Sequence, residues 1–331
     1  MHVIEVSSLS KAYKIVKKKP GLSGAIKGLI SREYTIKQAV NDISFTIQQG
    51  ETVGYIGANG AGKSTTIKML CGILHPTSGE VKINGRVPYA SRKENARKIG
   101  AVFGQRTQLF WDIAVKESYD LLKHIYRIPD QEYEANLAYF TEKLQLEGLL
   151  DIPVRQLSLG QKMRCELAAA FLHSPSIVFL DEPTIGLDVS VKNHIRAFIK
   201  EMNETKKTTI LLTTHDMQDI EEICNRIIII DEGSILYDGD LASIKRNFGH
   251  KRVIQFEVDA YDTLAFPVSM QEKIEVVENK SANAITVTFK QDEIASSEIV
   301  GYMMNHYQVR DLTVNEVKIE TIVKEIYERG V

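Results

Sequence analysis

Apolar positions along this chain fall into two kinds of run that alternate. Some stretches are apolar throughout or at every second residue, the period of a strand; in others apolar residues recur every three or four positions, the period of a helix. Residues 2–13 predict a strand ending near Tyr13, and 43–47 predicts a second that turns at Gln49 and Gly50. Strands follow over 52–56, 80–83 and 99–103, the middle one turning at Asn84 and Gly85, a hairpin signal. From about 115 to 150 the period becomes helical. Leu121, Leu122, Ile125 and Tyr126 form one stripe, Pro129 and Asp130 interrupt it, and Tyr133, Leu137, Phe140 and Leu144 form the next. Alternation then resumes. A helix over 162–173 precedes a strand over 177–180, and a helix carrying Val191, Ile195, Phe198, Ile199 and Met202 precedes a strand over 208–214. Strand–helix alternation predicts an α/β fold, and the helical block, placed at about 106–165, predicts a subdomain inserted into its sheet.

Two regions break this rhythm. An insert over 17–37 separates the first two strands; it opens with Lys17, Lys18, Lys19 and Pro20, after which Leu22, Ile26, Leu29 and Ile30 share one helical face, with Tyr34 nearby. A surface helix on its own domain, a contact element for another protein and a basic amphipathic segment at lipid headgroups all fit that pattern. Past Asp240, a linker over 242–251 leads to a small α+β domain over 252–331. Its strands are predicted over 253–258, 274–276, 284–289 and 312–314, and its helices over 294–306 and 319–327, with no catalytic constellation among them.

A chain of 331 residues is long for one compact domain and comfortable for two. Its formal net charge of −2 gives no support for electrostatic capture of nucleic acid. Cys71, Cys165 and Cys224 are scattered, as expected of small apolar residues in a reduced compartment. The alternating start, with an early acid at Glu5, is not that of a signal peptide, and no apolar run approaches the ~20 residues of a membrane helix. A soluble chain is expected, with any membrane role acting through a partner.

Candidate chemistry gathers at strand ends. Gly57-Ala58-Asn59-Gly60-Ala61-Gly62-Lys63-Ser64-Thr65 lies between an apolar strand and a helix start, the context of a phosphate-binding loop. Its glycines let backbone N–H groups turn inward around phosphates, and the helix N-terminus adds partial positive charge. Lys63 is expected at the β- and γ-phosphates, and the Ser64 hydroxyl at Mg²⁺. Asp181 and Glu182 end the strand before Pro183, at the edge where parallel sheets bind ligands. His215 ends the neighbouring strand, before an Asp216 cap. Ser158 opens a helix, and an ordinary N-cap explains it when it is viewed alone.

Taken together, from Val3 to about Asp240, these motifs resemble the nucleotide-binding subunit of an ATP-binding cassette (ABC) transporter. The stretch 57–65 is similar to that family's phosphate loop, Gln105 to its glutamine loop, and 177–182 to its Walker B strand. Residues 157–161 resemble its signature, with Leu159 standing where a glycine is usual. Gly186-Leu187-Asp188 falls at the D-loop and His215 at the switch histidine. The resemblance implies a phosphate-loop NTPase core over 1–241, with an antiparallel β subdomain beside the helical one. It further implies a head-to-tail dimer, as a homodimer, with two ATP molecules sandwiched between subunits. Each nucleotide then meets Gly57, Asn59, Gly60, Ala61, Gly62, Lys63, Ser64 and Thr65 of one chain and Ser158, Gly160 and Gln161 of the other, with Asp188 close by. Ser64, Asp181 and Gln105 are implied as the Mg²⁺ shell, Glu182 as the group that polarises water, and His215 as the holder of the γ-phosphate. Tyr13 is the expected adenine-stacking residue, with Tyr34 as the alternative.

Finer wording, such as Val102-Phe103-Gly104-Gln105-Arg106 and Thr213-Thr214-His215-Asp216-Met217, resembles ATPases that serve ABC-2 type membrane subunits, mostly exporters. The insert resembles that of polysaccharide-exporting members, which implies a membrane-subunit contact for residues 20–34. Residues 106–112, with the single tryptophan Trp111, fall where the family receives a coupling helix, and ordinary packing of an aromatic explains them equally well. The implied location is the cytoplasmic face of the cell membrane, reached through those subunits. A soluble ABC ATPase acting on ribosomes or DNA is the runner-up, but such proteins usually carry two cassettes or a long coiled coil. A regulatory cassette that does not hydrolyse ATP is a further alternative, which the presence of both Glu182 and His215 disfavours.

Overall fold

The computed structural model describes residues 1–16, 34–104, 106–248, 251–259, 263–279, 281–316 and 319–329. It divides into two compact units, Met1–Asp238 and Gly239–Gly330. In the first unit β1 (His2–Val16) pairs with β2 (Tyr34–Gln48). After β3 (Thr52–Gly57) and the helix Lys63–Leu70, β4 (Ser78–Ile83) returns to the other side of β1, giving a three-stranded antiparallel sheet in the order β2-β1-β4.

β5 (Ile99–Phe103), β6 (Ile177–Asp181), β7 (Thr209–Thr213), β8 (Arg226–Asp231) and β9 (Ser234–Asp240) join β3 in a second sheet, in the order β5-β6-β7-β3-β8-β9. The pairs β5/β6, β6/β7, β7/β3 and β3/β8 are parallel. Strands covered on both faces read as continuous apolar runs, and 210–212 and 227–230 are fully withdrawn from water. Each such Ile or Leu contributes roughly 1.5–3 kcal/mol by burial. Parallel register places Asp181 beside Thr213, so β6 and β7 end level and release their loops at one edge of the sheet.

The helices Val115–Tyr126, Asp130–Lys143 and Leu159–Phe171 form the inserted block between β5 and β6. The first is rotated relative to the apolar stripe expected from the sequence. Its buried face carries Val115, Ser118, Tyr119 and Leu122, while Leu121 and Ile125 are exposed. Hydrogen bonds set that rotation: the Tyr119 hydroxyl donates to Cys165 O (3.0 Å), and Ser118 Oγ accepts from Phe110 N (3.2 Å). Side chains with a hydrogen-bonding hydroxyl therefore turn inward ahead of two wholly apolar ones.

Three further expectations are corrected. β2 begins at Tyr34, so residues 34–37 belong to a strand rather than to the insert; Tyr13 pairs with Lys37 and Val16 with Tyr34. Alternation is masked there because the ribbon stands in water on both faces, and Ile15, Tyr34 and Ile36 are all exposed. The amphipathic reading of 22–30, and most of the 20–34 contact, lies outside the described residues. Asn84 and Gly85 do make a tight turn with positive φ, but its returning arm is the single bridge Ile83–Arg86, because β4 spends its pairing on β1. The expected linker over 242–251 is in fact the helix Leu241–Phe248 followed by the start of a strand at Lys251. Asp240 accepts from Ser243 N (2.7 Å) at the helix start, and Leu241 and Ile244 are buried three residues apart.

In the second unit β10 (Lys251–Val258), β11 (Ile274–Asn279), β12 (Ala284–Lys290) and β13 (Val309–Glu316) form an antiparallel sheet in the order β11-β12-β10-β13. Ile254, Phe256, Ile285, Val287 and Phe289 share its inner face with Ile299 and Met303 of the helix Ser296–His306. The helix Ile319–Arg329 ends the described chain. Among the described residues no helix is long and apolar enough to cross a membrane.

Candidate active site

The loop after β3 is shaped by its glycines. Gly62 has φ of 113°, and a Cβ on it would stand 2.4 Å from the carbonyl oxygen of Ala39, so no other residue fits there. A polar stem supports the loop from below: the Tyr55 hydroxyl donates to Thr66 Oγ1 (3.3 Å), which donates to Gly62 O (3.2 Å). Burial pushes the Tyr55 phenol well above its ordinary pKa. Lys63 is buried, and its ammonium donates to Gly57 O (2.6 Å) and Ala58 O (3.2 Å), folded back across the loop. Burial lowers its pKa, against the opposing pull of the Glu182 and Asp181 carboxylates.

Asp181 and Glu182 face two different tasks. Asp181 Oδ1 accepts from the Thr213 hydroxyl (2.6 Å), which aims the carboxylate. Glu182 takes a left-handed φ of 57° and anchors its N–H on Thr213 O (2.9 Å), so its side chain leaves the strand line. Its Oε1 meets His215 Nε2 at 2.7 Å. One cleft is lined by Asn59, Ser64, Gly104, Asp181, Glu182 and His215, together with Lys68 and Arg106. A second hollow reaches from Asn59, Gly60, Lys63, Ser64, Thr65 and Glu182 to Tyr13 and Lys37. The phosphate loop therefore stands between a cleft of mixed charge that holds both carboxylates and a hollow that holds Tyr13 and Lys37. Tyr13 lines the second hollow and Tyr34 does not. The Lys11 ammonium lies 5.4 Å from the Tyr13 ring centroid. Gln105 lies outside the described residues, and its neighbours Gly104 and Arg106 line the first cleft.

Neither cleft includes Ser158, Gly160, Gln161 or Asp188. Ser158 caps its helix: Gln161 N donates to Ser158 Oγ (3.3 Å), and Ser158 N donates to Gln161 Oε1 (2.9 Å). Asp188 likewise caps the helix Val189–Lys206, accepting from Val191 N (3.0 Å). These two helix starts touch. Leu159 Cδ2 lies 3.1 Å from where a Cβ on Gly186 would stand, and Gly160 faces Val191. Leu159 itself is half exposed.

Among the described residues no cluster of three or more His, Cys, Asp or Glu is poised to hold a metal. A hydroxyl and a carboxylate, Ser64 and Asp181, do line one cleft. Hard oxygen donors in that number fit Mg²⁺, which keeps several waters and takes further ligands from substrate phosphates. The sequence alone assigns no nucleotide-site role to Thr213, Lys37 or Arg106. Thr213 was findable as the hydroxyl two residues before His215; Lys37 was hidden by the insert boundary.

Residues 40–185 match the ABC transporter family. Over 209 residues the chain is 32% identical to the ABC transporter ATP-binding protein NatA of Bacillus subtilis (strain 168), covering 63% of this chain and 85% of that protein. It is 36% identical over 210 residues to the Nod factor export ATP-binding protein I of Burkholderia orbicola (strain AU 1054), covering 63% of this chain and 68% of the relative. The dimeric structure of the ATP-binding cassette MJ0796 in a post-hydrolysis state bound to ADP and Pi is 27% identical, with a TM-score of 0.59 over 72% of this chain and 98% of that one. With a phosphate loop, an acidic strand end and a histidine gathered at one sheet edge, and with these relatives, the chain belongs to the ABC transporter family as an ATP-binding subunit that hydrolyses ATP.

Proposed function

We propose that this chain powers export of a cargo through separate ABC-2 type membrane subunits, as a head-to-tail homodimer on the cytoplasmic face of the membrane. One observation carries the dimer: the phosphate loop, Asp181, Glu182 and His215 line two hollows that share Asn59, Ser64 and Glu182, while the capped helix start at Ser158 belongs to neither. Facing the loop of a second copy, that helix N-terminus aims free N–H groups at a γ-phosphate. Export is favoured by the Nod factor export relative. Residues 20–34 and 106–112 are assigned to contact with the membrane subunits, and the C-terminal unit to an accessory role.

The reaction is in-line attack of water on the γ-phosphorus; the bond to the bridging oxygen breaks, and ADP leaves with that electron pair. Glu182 Oε1 orients the water and draws on its proton, and His215, already 2.7 Å from that carboxylate, holds a γ-phosphate oxygen. The loop N–H groups and Lys63 stabilise spreading negative charge; on binding, the ammonium exchanges its contacts with Gly57 O and Ala58 O for phosphate oxygens. Mg²⁺, held by Ser64, Asp181 and Gln105, supplies further charge neutralisation when bound. Adenine stacks on Tyr13.

Glu182→Gln keeps the shape of the site and removes the base. It is expected to bind ATP, to double in sedimentation mass when ATP is added, and to hydrolyse very slowly. Wild-type turnover in that variant would falsify the assignment, and a mass that stays monomeric with ATP overturns the dimer.

A further inference from the structure

Glu182 and His215 leave different strands, so their 2.7 Å contact depends on two loops being held in register. The group that holds them lies one layer deeper. Asp219, in the helix Met217–Ile223, is 0% exposed. Its Oδ2 accepts from the Thr184 hydroxyl (2.5 Å) and the Thr214 hydroxyl (2.6 Å). Thr184 stands two residues after Glu182 and Thr214 immediately before His215, so one carboxylate oxygen ties both loops. The other oxygen, Oδ1, accepts from Arg196 Nε at 2.6 Å, and Arg196 is itself 2% exposed. Arg196 also donates to Asp216 Oδ2 (3.0 Å), which takes Lys192 Nζ at 2.7 Å. Asp216 N closes the ring on Thr214 Oγ1 (3.0 Å).

Packing alone does not explain these residues. A buried ion pair is often no more stable than apolar side chains of similar volume, because desolvating both charges offsets their attraction. What apolar side chains lack is direction: a carboxylate held by a guanidinium presents its second oxygen at a fixed point, and both hydroxyls must come to it. We propose that Asp219, anchored by Arg196, is a positioning residue that sets the spacing of Glu182 and His215 for hydrolysis. It rests on the roles given above to those two residues and reaches the substrate only through them. Most nucleotide contacts are assigned to the phosphate loop, which follows a different strand and takes no part in this network, so the effect is expected chiefly in the chemical step.

Replacing both hydroxyls, Thr184→Val with Thr214→Val, keeps shape and leaves the Asp219–Arg196 pair in place. The expected result is kcat lower by about 10- to 100-fold, with KM for ATP within about twofold of wild type. In a Glu182→Gln background the same substitutions are expected to cost less than about a third as much, because the group they place is gone. Turnover within about twofold of wild type overturns the proposal, as does a loss carried at full size into the Glu182→Gln background. Should the pair of valines fail to fold, Arg196→Met and Asp219→Leu are added so that neither buried charge is left without its partner, and the same two criteria apply. Wild-type turnover in Glu182→Gln alone breaks the reading of Glu182 instead, and is distinguished by that single variant.

Discussion

In the first unit the side chains withdrawn from water include Lys63, Thr66, Glu166, Thr184, Arg196, Thr213, Thr214 and Asp219; in the second, every described buried side chain is apolar. Both units follow the same packing rules, with apolar faces of strands and helices turned together. A buried polar group costs free energy unless it is partnered, so one built only to pack has no use for any. Several of the first unit's buried polar groups lie under one sheet edge, beneath the phosphate loop, Glu182 and His215. Others serve the helical block: buried Glu166 accepts from the Thr107 hydroxyl and from Gln108 N, pinning the loop after Gly104 to the helix Leu159–Phe171. Polar burial thus separates a unit shaped by chemistry and its supports from one shaped by folding.

Substitutions sharpen that contrast by damaging one property and sparing the other. The largest effect is expected at His215→Ala, which removes the donor proposed for the γ-phosphate: ATP turnover is expected to fall about 10²- to 10³-fold while the thermal unfolding midpoint stays put. A melting shift equal to that of a core variant would dissolve the distinction. Phe256→Ala is the converse. Phe256 is fully buried in the second unit, so truncation is expected to cost roughly 3–5 kcal/mol of that unit's stability, read by denaturant unfolding, with turnover per folded chain unchanged.

Polar burial also makes the first unit sensitive to acid. His173 stacks on Tyr126 at 4.0 Å, and its Nε2 donates to Ile99 O (2.9 Å). Burial pushes its pKa down from 6.5 to about 4. The folded state therefore keeps the ring neutral where the unfolded chain protonates it. Its contribution is present above pH 6.5 and is lost as pH falls from there toward about 4, by up to about 3 kcal/mol. Unfolding measured across that window in His173→Gln is expected to show a shallower fall; an identical slope rules the group out. The smallest effect concerns the base: Tyr13→Ala is expected to weaken ATP binding by ~1 kcal/mol, about fivefold, while Tyr34→Ala leaves it unchanged. The reverse pattern hands the stacking role to Tyr34.

How much of this was legible in the residues follows the same division. That the loop 57–65, Asp181 and Glu182, and His215 gather at one sheet edge was readable because each stands in one short stretch at the end of an apolar strand. Every predicted strand of the second unit also appears, since alternation over 253–258 and 284–289 is enough to mark a half-buried sheet. Other features depend on partners distant in sequence. The rotation of the helix Val115–Tyr126 is set by Cys165 and Phe110, and no local pattern at Leu121 or Ile125 carries that information. The ribbon over 34–37 is a strand only because 13–16 pairs with it. Asp219 reads as one more acid on a polar helix until Thr184 and Arg196 are brought to it from 35 and 23 residues away. Leu159 was readable as a departure from the signature, whereas its seat against Gly186 was not.

Completion of the site by a second copy is tested most directly by ATP turnover per chain across a dilution series, with sedimentation mass followed in parallel. Turnover per chain is expected to fall as the mass drops to that of one chain, and to return on reconcentration. Undiminished turnover from chains that sediment strictly as monomers would contradict it.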